Sequence, residues 1–594
     1  MKSISSNKVK ISGVVSSLRK FLPISLKRRF FSLIFLMVCS AFAEIISIGM
    51  IIPFLSAITS PDAVLAYPMM QPLNQFFNLQ SHVELVIFLT IVFCLLAIFS
   101  AGMRLITLWF QTRFCYAVGQ NLSTQLYKNT LYQSYSMHVA RNSSEFISTI
   151  VNKTFQSTSF AILPILNIFS SGLILLAITM TLLFIQPLVA LSAFILFGGA
   201  YGAVMLLTKS KLDVDSKKIS TEQDQVVKKL QEGFGSIRDI LVSSTQEVYL
   251  KSYTSSYASL QRAWANVEII KATPRFVIEA MGIIIIALLA LFFYGQPGGI
   301  AKALPILGAM ALGAQRMLPI LQVIYASLTA LRAGLSSLTD IFLMLEEPTS
   351  ESMIKESKQL ITFNDQITLE KLKFQYNPEA PLVLTGINAV IKKGSMTGII
   401  GSTGSGKSTL IDIIMGLLQP SDGKFAVDGE SITDINKYGW QEHLAHVPQS
   451  IFLVDASIAE NIALGVPLEN IDHELVERSA KQAHIHDAIS SWKNKYETVV
   501  GERGIRISGG QRQRIAIARA LYKKASVIIF DEATSALDSE TESSVMQAIT
   551  SLAEDITIII VAHRLSTLKE CSNIIELSNG KIVRQGVYNE IIKG

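Results

Sequence analysis

Six apolar runs punctuate the first 331 residues, each close to or above the roughly 20 residues a helix needs to cross a bilayer. They lie at 30–58, 83–110, 162–185, 187–207, 276–294 and 303–331. Hydrocarbon offers the backbone no hydrogen-bond partner, so runs of this kind must become helices. The third gives way to the fourth at Gln186 and Pro187, which predicts a tight hairpin. Composition agrees. Half of the 594 residues are hydrophobic and 16% are charged, which excludes an ordinary soluble protein. The length exceeds what one core can organise, so several domains are expected. A net charge of +6 is too modest to imply a nucleic-acid partner. The four cysteines, Cys39, Cys94, Cys115 and Cys571, lie too far apart for a zinc motif or a disulfide framework.

Charge orients the spans. Residues 1–29 carry Lys2, Lys8, Lys10, Arg19, Lys20, Lys27, Arg28 and Arg29 and no acid. The apolar run behind them is too long for a signal-peptide core, so this arm is expected to be retained. The connection 59–82 has no Lys or Arg, whereas 208–275 is rich in Lys, so the first faces outward and the second inward. Both ends of the membrane part are then cytoplasmic. The connections 111–161 and 208–273 lack strand alternation, so the spans are expected to continue as helices beyond the membrane. Turns are expected near 135–142 and 232–241. A small separate cytosolic domain is the alternative.

A polar linker with Pro348 follows, and the pattern then changes to short apolar strands alternating with helices. Here Gly401, Ser402, Thr403, Gly404, Ser405, Gly406, Lys407, Ser408 and Thr409 fit the phosphate-loop pattern G-x-x-x-x-G-K-[ST], between an apolar strand and a helix. Glycines let the backbone close around a polyphosphate, Lys407 would reach the β- and γ-phosphates, and the Ser408 hydroxyl would sit on Mg²⁺. ATP and Mg²⁺ are the expected ligands. Further on, 527–530 form an apolar run that ends in Asp531 and Glu532. The run suits a buried parallel strand. Asp531 is expected to serve the metal, and Glu532 to polarise the attacking water. Ser508, Gly509, Gly510 and Gln511 open a helix and make a second anion site. One nucleotide cannot easily fill two such sites in one domain, so two copies placed head to tail are expected.

With these motifs in order, the chain resembles the ATP-binding cassette transporters, as a half-transporter of the exporter type, over almost its whole length. The resemblance implies a membrane α-helical domain of six transmembrane helices, then an α/β P-loop nucleotide-binding domain. The expected boundaries are a basic arm 1–29, a membrane domain 30–345, a linker 346–366 and a nucleotide-binding domain 367–594. It also implies roles. Ser508 to Gln511 is the signature motif, preceded by Ile507 where Leu is usual. Gln449 contacts Mg²⁺ and senses the membrane domain, Tyr376 stacks on adenine, Asp538 lies at the dimer interface, and His563 is the switch residue near the γ-phosphate. The segment 498–504 resembles one that touches the partner's coupling helices.

The residues carry less about what is transported. Ionisable groups within spans are functional candidates. Glu44 lies about 20 Å from the cytoplasmic edge and Arg316 about 20 Å from the outer end of its run. Arg104, Arg275 and Arg316 all fall in the inner half of the bilayer. A structural alternative pairs Arg275 with Glu279 and lets Arg104 reach the interface, whereas no acid lies within a helical turn of Arg316. The stretches 43–54, 273–280 and 315–319 resemble exporters that flip polyprenyl-pyrophosphate-linked oligosaccharides. The N-terminal arm is too short for a leader peptidase. The expected function is therefore ATP-driven flipping of a lipid-linked glycan from inner to outer leaflet, by a homodimer in the bacterial plasma membrane. Another lipid, a peptide or a drug is the alternative cargo. A membrane-anchored ATPase that regulates a partner is the alternative class.

Overall fold

The computed structural model describes residues 18, 20–50, 53–54, 81–185, 187–294, 299–349, 361–532, 556–562 and 568–592. The chain divides into two compact units. One comprises Met1–Leu131 and Arg141–Pro348, the other Tyr132–Ala140 and Thr349–Gly594.

Six long helices build the first unit: α1 Ile24–Gly49, α2 His82–Leu131, α3 Leu163–Ile185, α4 Pro187–Gly235, α5 Gln246–Tyr294 and α6 Gly299–Leu345. Among the described residues, four helical stretches are long and apolar enough to cross a membrane. The 50 residues of α2 make a rod about 75 Å long, more than twice the hydrocarbon thickness. The first helix begins at Ile24, before its apolar run, because Lys27, Arg28 and Arg29 are good helix formers that continue it past the hydrocarbon. Short helices interrupt the long rods at Tyr135–Ala140 and, after Gly235, at Ile237–Val242.

The approach to α3 is irregular. Asn142 caps Ser143–Ile147 by accepting the Ser144 N–H at 3.0 Å, and π-helical turns follow at Ser148–Lys153 and Thr158–Ile162. A Cβ at Gly334 of α6 would sit 2.9 Å from the Phe160 carbonyl, so the second π turn and α6 meet backbone to backbone. Lys153 is buried. Its ammonium reaches Asp224 of α4 at 2.8 Å and Asp340 of α6 at 2.7 Å, and those contacts hold it charged despite burial.

Pro274 sits inside α5, where it removes the N–H that would serve the Ile270 carbonyl. The helix continues because that carbonyl accepts the Tyr325 hydroxyl of α6 at 3.1 Å, deep between the two helices.

The second unit contains two sheets. The first, in the order β2-β1-β4-β5, is antiparallel and made of Gln366–Phe374 (β1), Leu384–Lys392 (β2), Asp422–Val427 (β4) and Glu430–Ser431 (β5). The second has the order β10-β9-β3-β8-β7-β6. Its members are Met396–Gly401 (β3), Leu444–Val447 (β6), Val527–Asp531 (β7), Thr557–Val561 (β8), Asn573–Ser578 (β9) and Lys581–Gly586 (β10). All run parallel except the edge strand β10. Buried on both faces, β7 and β8 read as unbroken apolar runs. Helix α7, Lys407–Ile414, follows β3 and packs into a core with Trp440, whose indole N–H donates to the Ile414 carbonyl at 2.7 Å. Helix α8, Gly509–Tyr522, precedes β7.

The Pro274–Tyr325 arrangement gives a testable outcome. Tyr325→Phe orphans the Ile270 carbonyl and is expected to cost about 1–3 kcal/mol, read as a lower melting temperature of the full chain in lipid nanodiscs. In a Pro274→Ala background, which restores the helical N–H, the same change is expected to cost much less. Equal losses in both backgrounds would contradict this account.

Candidate functional site

The strand β3 delivers the chain to Gly401 at φ +153°, and the loop then turns through Gly404 (φ +82°) and Gly406 (φ +102°). A Cβ at Gly401 would lie 2.2 Å from the Leu577 carbonyl oxygen of β9, a backbone atom that cannot give way. Lys407 opens α7 and is buried, and its ammonium donates to the Gly401 carbonyl at 2.8 Å and the Ser402 carbonyl at 3.1 Å. The positive charge is thus folded back over the loop. The Ser405 hydroxyl is buried and has no partner among the described residues. Ser402, Thr403, Gly404 and Ser408 are exposed. Thr409 Oγ1 lies 3.1 Å from the hydroxyl of Tyr376, whose ring stands edge-on to Phe374 and is half exposed. A glycine loop at a helix N-terminus, closed over by a lysine, is an anion cradle.

The acidic pair arrives from β7. Asp531 ends the strand, and Glu532 takes φ +50°, a left-handed conformation that costs a non-glycine residue about 1–2 kcal/mol. Its N–H donates to the Val561 carbonyl of β8 at 3.0 Å, which holds the turn. Its carboxylate accepts the Gln449 amide at 2.6 Å. Strain of this kind gathers at functional sites.

Two groups here went unnoticed in the sequence. Asp412 of α7 is pushed up to about 6, first by burial and then by the charge of Asp531. Its place four residues after Ser408, hence on the same helix face, was the available signal. Tyr135, on the short helix Tyr135–Ala140, has its hydroxyl pushed up by burial and by Asp412 and Tyr376. Nothing in the sequence around Tyr135 announces that proximity.

Ser508, Gly509, Gly510 and Gln511 form the start of α8 as a closed capping box. Ser508 Oγ accepts the Gln511 N–H at 3.2 Å, and Gln511 Oε1 accepts the Ser508 N–H at 2.9 Å. Among the described residues, no hydrogen bond joins these four to the loop 401–409. Asp538 and His563 lie outside the described residues.

In the helical unit, the Glu44 carboxylate is buried, receives the Ser100 hydroxyl at 2.7 Å and the Arg104 Nε at 3.0 Å, and pairs with Arg104 Nη2. Arg104 therefore turns to Glu44 rather than to the interface. Arg275 pairs with Glu279 at 2.8 Å, one turn along α5. Arg316 belongs to α6, with its side chain outside the described residues.

Residues 384–535, which hold the loop, the capping box and the acidic pair, match the family model for the ABC transporter domain. Over 489 residues the chain is 30% identical to the ATP-dependent lipid A-core flippase of Saccharophagus degradans, covering 80% of this chain and 79% of that protein. The chain belongs to the ABC transporter family. This transporter is also 42% identical over 232 residues to the α-hemolysin translocation protein HlyB of Proteus vulgaris, a match covering 39% of this chain and 32% of that one. It is 40% identical over 260 residues to the leukotoxin translocation protein LktB of Mannheimia haemolytica, covering 43% and 36%. Its fold matches a bacterial Atm1-family ABC exporter solved with ATP bound, at a TM-score of 0.78, 22% identity and 96% coverage of both chains. It is thus a membrane-embedded half-transporter of the ABC exporter type, with an ATP-hydrolysing domain after its helical domain.

The loop geometry predicts that Gly401→Ala, by forcing β3 and β9 apart, weakens ATP binding about fivefold to a hundredfold, the equivalent of about 1–3 kcal/mol of strain. Titration with a fluorescent ATP analogue checks this, and unchanged affinity would contradict it.

Proposed function

We propose that this ABC exporter works as a homodimer in the bacterial plasma membrane, its ATP-binding unit in the cytoplasm. It flips an amphipathic lipid-linked substrate, best described as a polyprenyl-pyrophosphate-linked oligosaccharide, from the inner to the outer leaflet. The observation that carries the lipid class is the extent of similarity. A match of 489 residues cannot fit within the α/β unit, so the likeness to a protein named as a lipid A-core flippase extends into the membrane helices. The matches to toxin translocators span only 232–260 residues, about the length of the ATP-binding unit.

The chemistry follows from the site. In this reading the loop 401–409 cradles the ATP phosphates, Lys407 swings from its two loop carbonyls onto the β- and γ-phosphates, and Tyr376 stacks on adenine. Ser408, Gln449 and Asp531 would hold Mg²⁺. Their hydroxyl, amide and carboxylate oxygens are the hard donors this ion prefers, and Gln449 spends its amide nitrogen on Glu532, which frees its oxygen. When bound, the ion neutralises charge on the phosphate oxygens. Glu532 orients and polarises the attacking water, with His563 beside the γ-phosphate. Ser508, Gly509, Gly510 and Gln511 of a second copy close over the nucleotide, with Asp538 at the same interface. Closure favours the outward-facing membrane domain, and hydrolysis releases it.

Glu532→Gln is expected to bind ATP normally while hydrolysis falls about 10²–10⁴-fold, the range for loss of a general base. Phosphate release and nucleotide binding measured on one preparation separate the two effects, and near-normal turnover would remove Glu532 from this role.

The cargo reading places the pyrophosphate on guanidinium groups, which bind phosphate oxygens bidentately and stay charged in a low dielectric. Arg104, Arg275 and Arg316 are the candidates. Because Arg104 and Arg275 both hold carboxylates, Arg316 ranks first. Arg316→Ala is expected to abolish flipping of lipid-linked oligosaccharide in proteoliposomes and to spare basal ATP hydrolysis, while Arg316→Lys restores only part. Normal flipping by Arg316→Ala would favour a peptide or drug cargo instead.

A further inference from the structure

We propose a second lipid site, distinct from the transport pathway, that holds one acyl chain of an anionic phospholipid of the inner leaflet. A cavity of about 390 Å³ lies at the start of α1, against α2 and the beginning of α3. Its wall is almost wholly apolar, built from Leu22, Phe30, Phe114, Val118 and Leu166, with Lys27 the one charged residue of the lining. Phe31, 70% exposed, also lines it, and Phe35 one turn further along α1 is 71% exposed, so this face of α1 looks toward lipid.

The level in the membrane fits. Lys27, Arg28 and Arg29 stand at the cytoplasmic end of the first span, and Phe114 and Val118 lie on α2 just past the apolar run 83–110. That is the depth of the inner-leaflet headgroups, where basic residues attract anionic lipid. None of the three cations has an acidic partner among the described residues. Lys20 nearby is paired with Glu346. An apolar cavity with a lone ammonium on its lining matches a molecule with an alkyl tail and a phosphate. The volume argues against a protein segment, since a helix about 10 Å across would fill it within about one turn. The lining includes none of Arg104, Arg275 and Arg316, and the proposal does not depend on the identity of the cargo.

The test uses the full-length protein in nanodiscs containing phosphatidylglycerol or phosphatidylcholine, with retained lipids counted by native mass spectrometry. Wild type is expected to retain phosphatidylglycerol preferentially. Lys27→Gln is expected to lower that retention about fivefold, the effect of one basic residue at an anionic surface, and Lys27→Arg to preserve it. Leu22→Trp, which fills the cavity, is expected to lower retention of either lipid. Equal retention of the two lipids by wild type, or unchanged phosphatidylglycerol in Lys27→Gln, overturns the proposal. Loss of self-association in Leu22→Trp without a change in bound lipid overturns it in favour of a second copy of the chain. Displacement of phosphatidylglycerol by lipid-linked oligosaccharide overturns it in favour of the cargo. Flipping measured on the same Lys27 variants keeps this outcome separate from that of the transport reading.

Discussion

Strand β3 is hydrogen-bonded on both sides, to β8 and to β9, and its last residue is Gly401. That double pairing fixes where the phosphate loop begins. On the far side of β8, β7 pairs in register so that Asp531 stands opposite Val561, and the next N–H, that of Glu532, takes the Val561 carbonyl. One set of parallel rungs therefore places both the phosphate cradle and the acidic pair. The strands are apolar on both faces, so the register is carried by the paired rungs rather than by an alternation of polar and apolar side chains. Loop glycines take up positive φ without strain, whereas the left-handed turn at Glu532 carries local strain that the sheet behind it can sustain.

The membrane half meets a different constraint, since neither lipid nor the helix core supplies water to polar groups. The same solution recurs there. The Ile270 carbonyl freed by Pro274 takes a tyrosine hydroxyl from α6, Glu44 takes Ser100 and Arg104 from α2, and Lys153 is held between Asp224 and Asp340. Buried ion pairs of this kind contribute little net stability, but removing one partner leaves an expensive charge. They fix which helices meet and at what register. They also bear on the transport path, since an anionic headgroup reaching Arg104 would have to compete with Glu44.

Most of the architecture was legible because its signals are strong and local. Apolar runs of span length admit one structure in lipid, and the change to short strands after Pro348 marks the second domain. The helical continuation of α2 and α4 could be read from the absence of strand alternation, while the hairpin expected at Gln186 lies outside the described residues. Helix ends were less legible. The α1 start at Ile24 depends on basic residues that tolerate a helix beyond the hydrocarbon, and Pro274 would suggest a break were Tyr325, 51 positions away, not there to repair it. In the site, the loop, Gln449, Asp531 and Glu532 were readable as motifs. Asp412 left only its spacing from Ser408 as a signal and Tyr135 left none, because the neighbours that shift them are supplied by the fold.

The start of α8 leaves donors that fit the proposed dimer. A helix leaves its first backbone N–H groups without intrahelical partners. Here the capping box consumes two donors, the N–H of Ser508 and that of Gln511, through their own side chains. The N–H groups of Gly509 and Gly510 remain, on residues with no side chain to shield them. Such a terminus favours an anion. The chain's own phosphate cradle belongs to the turn between β3 and α7, and no hydrogen bond ties the two places together among the described residues. In the proposed dimer an anion held by both would be shared between copies, and the nucleotide would become part of the interface that closure makes and hydrolysis breaks.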